Sequence, residues 1–540
     1  MFFLYAELLL LHAKDERLAQ LLSGAAYRTR KMNEDVTSLQ KTALARLFRP
    51  EVVRIVEGLK KKKNIPALDE LIQLTPGGLF EMMQVKGLGG KKLSLLWKKA
   101  KIDTVPALLE ACKNNMLSKL PGFGTKTQNN IIAAIDSLNS SSARFHYSAV
   151  ADQANELVLV LQKLFKTELV SLCGDIRRKT TTVAGIDLLA AIDPKKLAKK
   201  ELRNLLILQS FENGKSNGHT LDEIPVSILH TSSGDFFYDL FTQTGNEKHV
   251  QKVISKIKSQ VKFASEEALY KKAGLPFTVP EMREDVAEWN FKSRIEDLIT
   301  PEDIKGVVHN HTTWSDGVDT LADFVEACRK QSFEYTVISD HSKKAHYAGG
   351  LKEDKVIRQM EEIDKLNKAL KPFKIFKSIE CDIKVSGELD YEMDLLKRFD
   401  LGIISIHQLL KMDEEKATKR LIKAIENPYS TILGHMTGRQ LLIRPGYPVN
   451  FKKVIDACAS NKVIIEINAN PYRLDMDWSH IPYAIKKGAV NPDAHSINEI
   501  GNIRWGIEAA RKAGLTKDMT WNALPLKKIQ AWLKKKKRSI

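Results

Sequence analysis

The last 240 residues alternate short apolar runs with longer amphipathic stretches, and the apolar runs stop on residues whose side chains bind metals. The runs are GVVHNH (306–311), YTVISDH (335–341), KIFKSIECD (374–382), LGIISIH (401–407), TILGH (431–435), VIIEIN (463–468) and AVNPDAH (489–495). Continuous apolar runs of this length predict strands buried on both faces, as in a parallel sheet covered by helices. The pattern predicts an α/β barrel, whose strands all open at their carboxyl ends into one mouth. Side chains far apart in sequence converge there.

Nine residues at or just after the strand ends are candidate metal ligands: His309, His311, Asp316, His341, Glu380, His407, His435, Asp493 and His495. His309 and His311 are two apart, which on a strand puts both imidazoles on one face. Nitrogen and carboxylate donors without thiolate point to Mn2+, Zn2+ or iron rather than calcium or magnesium. Nine exceed the shell of one ion and imply two or three, with carboxylates bridging. Such centres activate water and neutralise charge building on a phosphoryl group, so phosphoester hydrolysis is the expected chemistry. His346 and His480 are read as ordinary surface or loop residues.

The first 140 residues are helical in pattern. The opening MFFLYAELLLLHA is too short to span a bilayer, has Glu7 inside the run and no basic region before it, and reads as an amphipathic helix. Two later segments share a form, LFEMMQVKGLGGKK (79–92) and MLSKLPGFGTKTQ (116–128). In each, two glycines (Gly87 and Gly89; Gly122 and Gly124) let the backbone turn sharply and approach a phosphate at the next helix N-terminus. Lys91, Lys92 and Lys126 would add contacts that hold DNA without reading its sequence. A formal charge of +18 favours a polyanionic partner. The length of 540 residues implies three or four domains. Five scattered cysteines, with no C-x-x-C pair, fit a reduced cytoplasmic protein. The basic C-terminus, KKIQAWLKKKKRSI, is read as a frayed, solvated helix end.

HNHTTWSDG (309–317), SDHS (339–342), IECDI, SIHQ, GHMTGR and PDAHS resemble the successive motifs of the PHP (polymerase and histidinol phosphatase) superfamily. The paired glycine segments resemble the helix-hairpin-helix motif. ALYKKAGLPFTVPEMRE (268–284), leading into DIKGVVHNH, resembles the junction of polymerase and PHP domains in bacterial family X DNA polymerases. Met436 stands where that family has Pro, and Pro492 where it has Thr. The resemblance implies a multidomain chain: an all-α helix-hairpin-helix region (1–145), an α+β polymerase β-like palm and thumb (146–298), and an α/β PHP domain (299–540) folded as a distorted (βα)7 barrel. All nine ligand positions of such PHP domains are filled here, and Arg439 and Arg444 match arginines assigned to substrate phosphate.

The palm-like segment departs from the family. In VSLCGDIRRKTTTVAGIDLLAAI (170–192) the first aspartate position of an Asp-x-Asp pair is Gly185 and only Asp187 remains; the third carboxylate falls at Ser227. Asp175 stands where the family's serine meets the triphosphate, and like charges repel. Two-metal nucleotidyl transfer needs several anionic oxygens, so polymerase activity is expected to be lost. Arg177 and Arg178 survive and are expected to contact DNA; Arg54 stands at the family's lyase lysine and cannot form a Schiff base. The expected function is DNA repair by a monomer acting on gapped or 3′-ended duplex, its PHP domain serving as a 3′–5′ exonuclease or end-processing phosphoesterase. The alternatives are an active gap-filling polymerase, which Gly185, Ser227 and Asp175 oppose; a small-molecule phosphatase of the histidinol phosphatase type, for which the hairpins have no use; and a non-catalytic DNA-binding scaffold, which would predict eroded metal ligands where none is eroded.

Overall fold

The computed structural model describes residues 1–540 except 30–35, 63–64, 86, 119, 142–143, 199–201, 203–204, 258–261, 486–487, 492 and 538–540; the departure at Pro492 thus lies outside the described residues. The chain forms two compact units, Met1–Ala143 and Arg144–Ile540.

Among its described residues the first unit is all helical, from Phe2–Leu11 to Thr125–Ser141. The opening helix buries Phe2, Tyr5, Ala6, Leu8, Leu9 and Leu11. Apolar on nearly every side, it is a core helix and not the amphipathic one its sequence suggested. Gly87 and Gly122 take φ of +91° and +82°, a left-handed backbone that suits glycine and turns each hairpin.

The second unit begins with an α+β region. Its strands are β1 (Phe145–His146), β2 (Val170–Leu172), β3 (Thr182–Val183), β4 (Ile186–Ala190), β5 (Leu206–Glu212), β6 (Lys215–Thr220) and β7 (Pro225–His230). Five of them form a mixed sheet in the order β2-β4-β7-β6-β5, and β1 pairs with β3. β4 runs parallel to β7, which puts Asp187 opposite Ser227.

The rest is a barrel of parallel strands: β8 (Gly306–Asn310), β9 (Tyr335–Ile338), β10 (Lys374–Lys377), β11 (Glu380–Asp382), β12 (Gly402–Ser405), β13 (Ser430–Leu433), β14 (Ile464–Asn468) and β15 (Gly488–Asn491). They form two sheets, β10-β9-β8 and β11-β12-β13-β14-β15. Parallel bridges His341–Glu380 and Asn310–Ala494 join the sheets into a ring. KIFKSIECD is one stretch broken in two, β10 pairing with β9 and β11 with β12. β8, β9, β12, β13 and β14 are buried at every position, as their continuous apolar character requires.

Several contacts tie the barrel to the α+β region, two of them buried. Lys512, on helix Ile503–Lys512, is 1% exposed; it donates to the carbonyls of Arg178 (2.9 Å) and Glu281 (3.2 Å) and pairs with Glu284. Leu474 and Trp505 of the barrel share one apolar cluster with Tyr147, Val150 and Ile186. The final helix, Leu526–Lys537, buries Ile529 and Leu533 against the barrel's inner residues Val308, Val337, Ile403 and Ile432. Its basic run is therefore more than a solvated end: Lys536 donates to the carbonyls of Asn461 and Lys462, and Lys537 to that of Phe399.

β8 begins at a glycine because the Tyr335 ring covers it; a Cβ on Gly306 would lie 1.9 Å from that ring. Tyr335 is fully buried and its hydroxyl donates to the carbonyls of Asn522 and Leu524, so the ring has nowhere to go. Gly306→Ala is expected to cost about 1–3 kcal/mol of stability, read as a lower chemical-denaturation midpoint; an unchanged midpoint would show that the ring can yield.

Candidate metal centre

The structure brings all nine candidate ligands to the carboxyl-end mouth of the barrel. They fall into four overlapping groups, each with ligand atoms within 4.8 Å of one another: His311, Asp316, His341 and His495; His309, Glu380 and His435; His309, His311 and Asp493; His341, Glu380 and His407. Glu380, at the start of β11, is central. Its Oε1 lies 2.9 Å from His435, 3.1 Å from His407 and 3.3 Å from His309, and its Oε2 lies 3.0 Å from His341 and 3.6 Å from His311. Asp493 Oδ1 lies 3.6 and 3.5 Å from the Nε2 atoms of His309 and His311, and Asp316 lies 3.5 Å from both His341 and His495. Ligands about 2.0–2.2 Å from a tetrahedral ion stand about 3.4 Å apart, which is the spacing seen here.

The donor set fits metal ions on a second count. His309 Nε2, both ring nitrogens of His311, Nδ1 of His341 and of His435, and Glu380 Oε1 are buried without a hydrogen-bond partner among the described residues. Buried polar atoms in that condition are costly unless something else coordinates them. The group is a multi-metal site.

Electrostatics follow from burial and crowding. Burial, reinforced by His495 and His341, lowers the His311 pKa to about 3. For His407 burial acts downward, yet Glu380 and Asp382 prevail and lift it to about 10. Burial also acts to raise the Glu380 carboxyl, but His407, His309 and His341 hold it well below the usual range. The backbone is strained at two of the nine: His309 and Asp493 have φ of +65° and +49°, which non-glycine residues rarely adopt.

A further set of buried residues, not singled out from the sequence, orients the ligands. Glu466 on β14 accepts from the His309 ring (Nδ1, 2.6 Å) and from the His435 backbone N–H (2.6 Å). Asp382 holds the His407 ring at Nδ1 (2.8 Å). Asn468 donates to Glu466 and to Asp493, both at 3.1 Å. Asp340 accepts from Thr312, Ser315 and Gln359 and so fixes the loop that carries Asp316. A signal for Glu466 was present, since a carboxylate inside the apolar run VIIEIN must find a partner when both faces are buried.

The arginines divide differently from expectation. Arg439 does not stand free for substrate: it donates to the carbonyls of Arg473 and Leu474 and pairs with Asp477, gripping the loop after β14. Arg444 is half-buried, donates once, to the Gly438 carbonyl, and lies close enough to Arg473 and Tyr347 for their fields to act on it. Arg473, unnoticed in the sequence, reaches to 3.6 Å from Asp493. Arg177 and Arg178 also have partners within the chain. Arg177 forms a two-pronged pair with Glu266 (3.0 and 2.6 Å) and a bond to Thr244, while Arg178 pairs with Asp175 and Glu284. Both are held by carboxylates and only partly exposed.

In the palm-like sheet, a Cβ on Gly185 would meet the Pro225 carbonyl at 2.4 Å, so the backbone leaves no room there for the aspartate that the family resemblance implies. Burial and Asp175 raise the Asp187 pKa, against Lys215. Asp175 is paired with Arg144 (3.1 Å) and Arg178. In the first unit the two hairpins are unequal. The Gly90 N–H at the first hairpin's helix start already donates to the Glu7 carboxylate; Lys91 pairs with Glu16 (2.8 Å), and Lys92 donates to the Gly87 carbonyl (3.0 Å). At the second hairpin Gly122, Gly124 and Lys126 are exposed.

Residues 80–137 match a family model described as SAM-like helix-hairpin-helix tandem. The chain is 32% identical over 496 residues to the DNA polymerase/3′-5′ exonuclease PolX of Bacillus subtilis (strain 168), covering 87% of this chain and 86% of that protein. It belongs to the PolX family. The barrel has separate relatives: a probable phosphatase of Thermoanaerobacter sp. (strain X514) is 30% identical over 252 residues, 43% of this PolX-family chain and 95% of that protein. The probable phosphatase YcdX of Escherichia coli O81 (strain ED1a) is 27% identical over 178 residues, 31% of this chain and 64% of that protein. With the ligand clusters these likenesses make the barrel a PHP-type metal-dependent hydrolase within a family X polymerase-like protein. No helix among the described residues is long and apolar enough to cross a membrane.

Because Glu466 orients two ligands without joining the cluster, Glu466→Gln is expected to weaken metal binding about 10–100-fold, measured by competition with a chromogenic chelator. Retention of metal at the wild-type level would refute its positioning role.

Proposed function

We propose that this PolX-family chain removes nucleotides or blocking groups from DNA 3′ ends by phosphoester hydrolysis at the barrel centre, and that its palm-like sheet no longer polymerises. The observation that carries the reading is the contrast between the two sites. Nine ligand residues converge in the barrel, while the palm-like strands keep Asp187 alone, opposite Ser227 and beside the closed position of Gly185. We assign residues 299–540 to the hydrolase, 146–298 to a platform that places the substrate, and 1–145 to DNA binding. The protein is expected to act as a cytoplasmic monomer.

Mn2+ or Zn2+ suits the nitrogen and carboxylate donors and would supply an activated water and positive charge at the phosphoryl group. The three carboxylates divide by position: Glu380 lies among five histidines and is placed to bridge, and Asp493 serves the His309 and His311 side. Asp316 serves the His341 and His495 side. Arg444 keeps the phosphate role first given to it, and Arg473 takes the one first given to Arg439. Their guanidinium groups are near each other at the mouth, where a phosphodiester's non-bridging oxygens would accept from them. Arg439 then positions Arg473 by holding its carbonyl.

Of the two hairpins, the second carries most of the DNA contact in this reading. Glu7 occupies the first hairpin's helix N-terminus, where a phosphate would otherwise accept, whereas Lys126 is exposed beside Gly124. Lys126→Ala is expected to reduce the slope of log affinity against log salt by about 0.9, the value of one phosphate contact on duplex DNA. Lys91→Ala should change it less. Equal slopes for the two variants would remove the distinction between hairpins.

The reading is tested on a labelled gapped duplex with manganese, with and without dNTPs, beside His341→Ala. Shortening of the primer that disappears in the variant, with no extension, is the expected result. Extension by added dNTPs would overturn the loss of polymerase activity; inertness on DNA with hydrolysis of small phosphate esters would favour the small-molecule phosphatase. In the same assay Arg473→Ala is expected to lower kcat/KM about 10²-fold at unchanged metal content.

A further inference from the structure

The end of the barrel opposite the metal centre has its own cleft. Residues 516–526 and the final helix cover the strand starts there: Lys305 N–H donates to the Asn522 carbonyl, Asn522 Nδ2 to that of Gly306, and Leu526 N–H to Glu334. Between this cover and the start of β14 lies a cleft of about 370 Å³, lined by Ile464, Trp521, Leu524, Trp532, Lys462 and Lys535 among others. Ile464 begins β14 and Asn468 ends it, so the cleft and the metal centre are separated by the strand's length, ~13 Å at about 3.3 Å per residue.

We propose that this cleft binds a nucleotide unit, a nucleobase with its phosphate. The two indoles meet edge to face with centroids 5.7 Å apart, and Trp532 is half-buried, which leaves part of it open to the cleft. Aromatic faces of this kind stack bases without regard to sequence. Lys462 and Lys535 are exposed at the rim and supply the charge a phosphate needs, while Asp518 is the one acidic residue of the lining. Trp521 lines the cleft with its ring; the residue is 6% exposed, and its N–H has no hydrogen-bond partner among the described residues, a costly state for a buried donor. The volume falls within the range of small-molecule sites. The buried Lys536, bonded to the carbonyls of Asn461 and Lys462, also lines the cleft, its ammonium 6.0 Å from the Trp532 ring centroid. The ligand can come from two sources, a free mononucleotide or an unpaired nucleotide of a DNA strand, and the site does not depend on the chemistry at the metal centre.

The test is calorimetric titration of the full-length protein with dAMP and, separately, with a short oligothymidylate, in the wild type, Trp532→Leu, Lys535→Glu and His341→Ala. Lys535 is an exposed surface residue, so its variant reports on the cleft even if Trp532→Leu fails to fold. Affinity is expected to fall about tenfold in the two cleft variants and to persist in His341→Ala, with metal-dependent hydrolysis of a small phosphate ester unchanged in Lys535→Glu. An effect confined to dAMP makes the ligand a free nucleotide; one confined to the oligonucleotide makes it a DNA strand. Binding that survives Lys535→Glu at wild-type strength, or is lost only in His341→Ala, would overturn the proposal, as would no binding of either probe.

Discussion

The barrel's architecture depends on one requirement: the Glu380 carboxylate, 1% exposed and surrounded by five histidines, must be neutralised where water does not reach. Buried charge is tolerated only when paired or bound to metal. The surrounding framework serves that end. Glu466 and Asp382 turn ring nitrogens inward, Asn468 holds the Asp493 carboxylate, and Asp340 secures the loop that brings Asp316 into place. Even the joint between the barrel's two sheets is a bridge between His341 and Glu380, so the same residues close the fold and form the site.

The α+β region illustrates the reverse. Its sheet persists, but its charged residues are spent on one another: Asp175 on Arg144 and Arg178, Arg178 on Glu284, Glu284 on the barrel's Lys512. This chain of ion pairs runs from the palm-like sheet into the hydrolase and makes the two one body. On the function proposed above, a nucleotide-binding surface has been converted into a mounting surface. The loop after β14 shows a consequence, since Leu474 lies in the palm-side core while its neighbour Arg473 reaches toward Asp493.

The barrel was legible in the sequence because strands buried on both faces cannot contain polar residues except where those residues have work to do. That rule marked the seven apolar stretches and the ligand types at their ends. It did not reveal the break between β10 and β11, which falls at Ser378 and Ile379 within what reads as one run. What could not be read depends on partners distant in the chain. Arg177 looked free for DNA until Glu266, 89 residues on, closed on it. Arg439 looked like a phosphate ligand until the carbonyls of Arg473 and Leu474 claimed it. Glu7 gave no hint that it would cap Gly90, 83 residues away. The final helix looked solvated because its lysines dominate its composition, while Ile529 and Leu533, four apart on one face, seal the barrel.

The central claim is that divalent metal gathers in the barrel and not in the palm-like sheet. Anomalous diffraction at the manganese edge from manganese-soaked crystals measures this directly. Two or three peaks among His309, His311, Asp316, His341, Glu380, His407, His435, Asp493 and His495, with none at Asp187, is the result the account predicts. A metal pair bound at Asp187, or a barrel mouth that takes up no manganese, would contradict it.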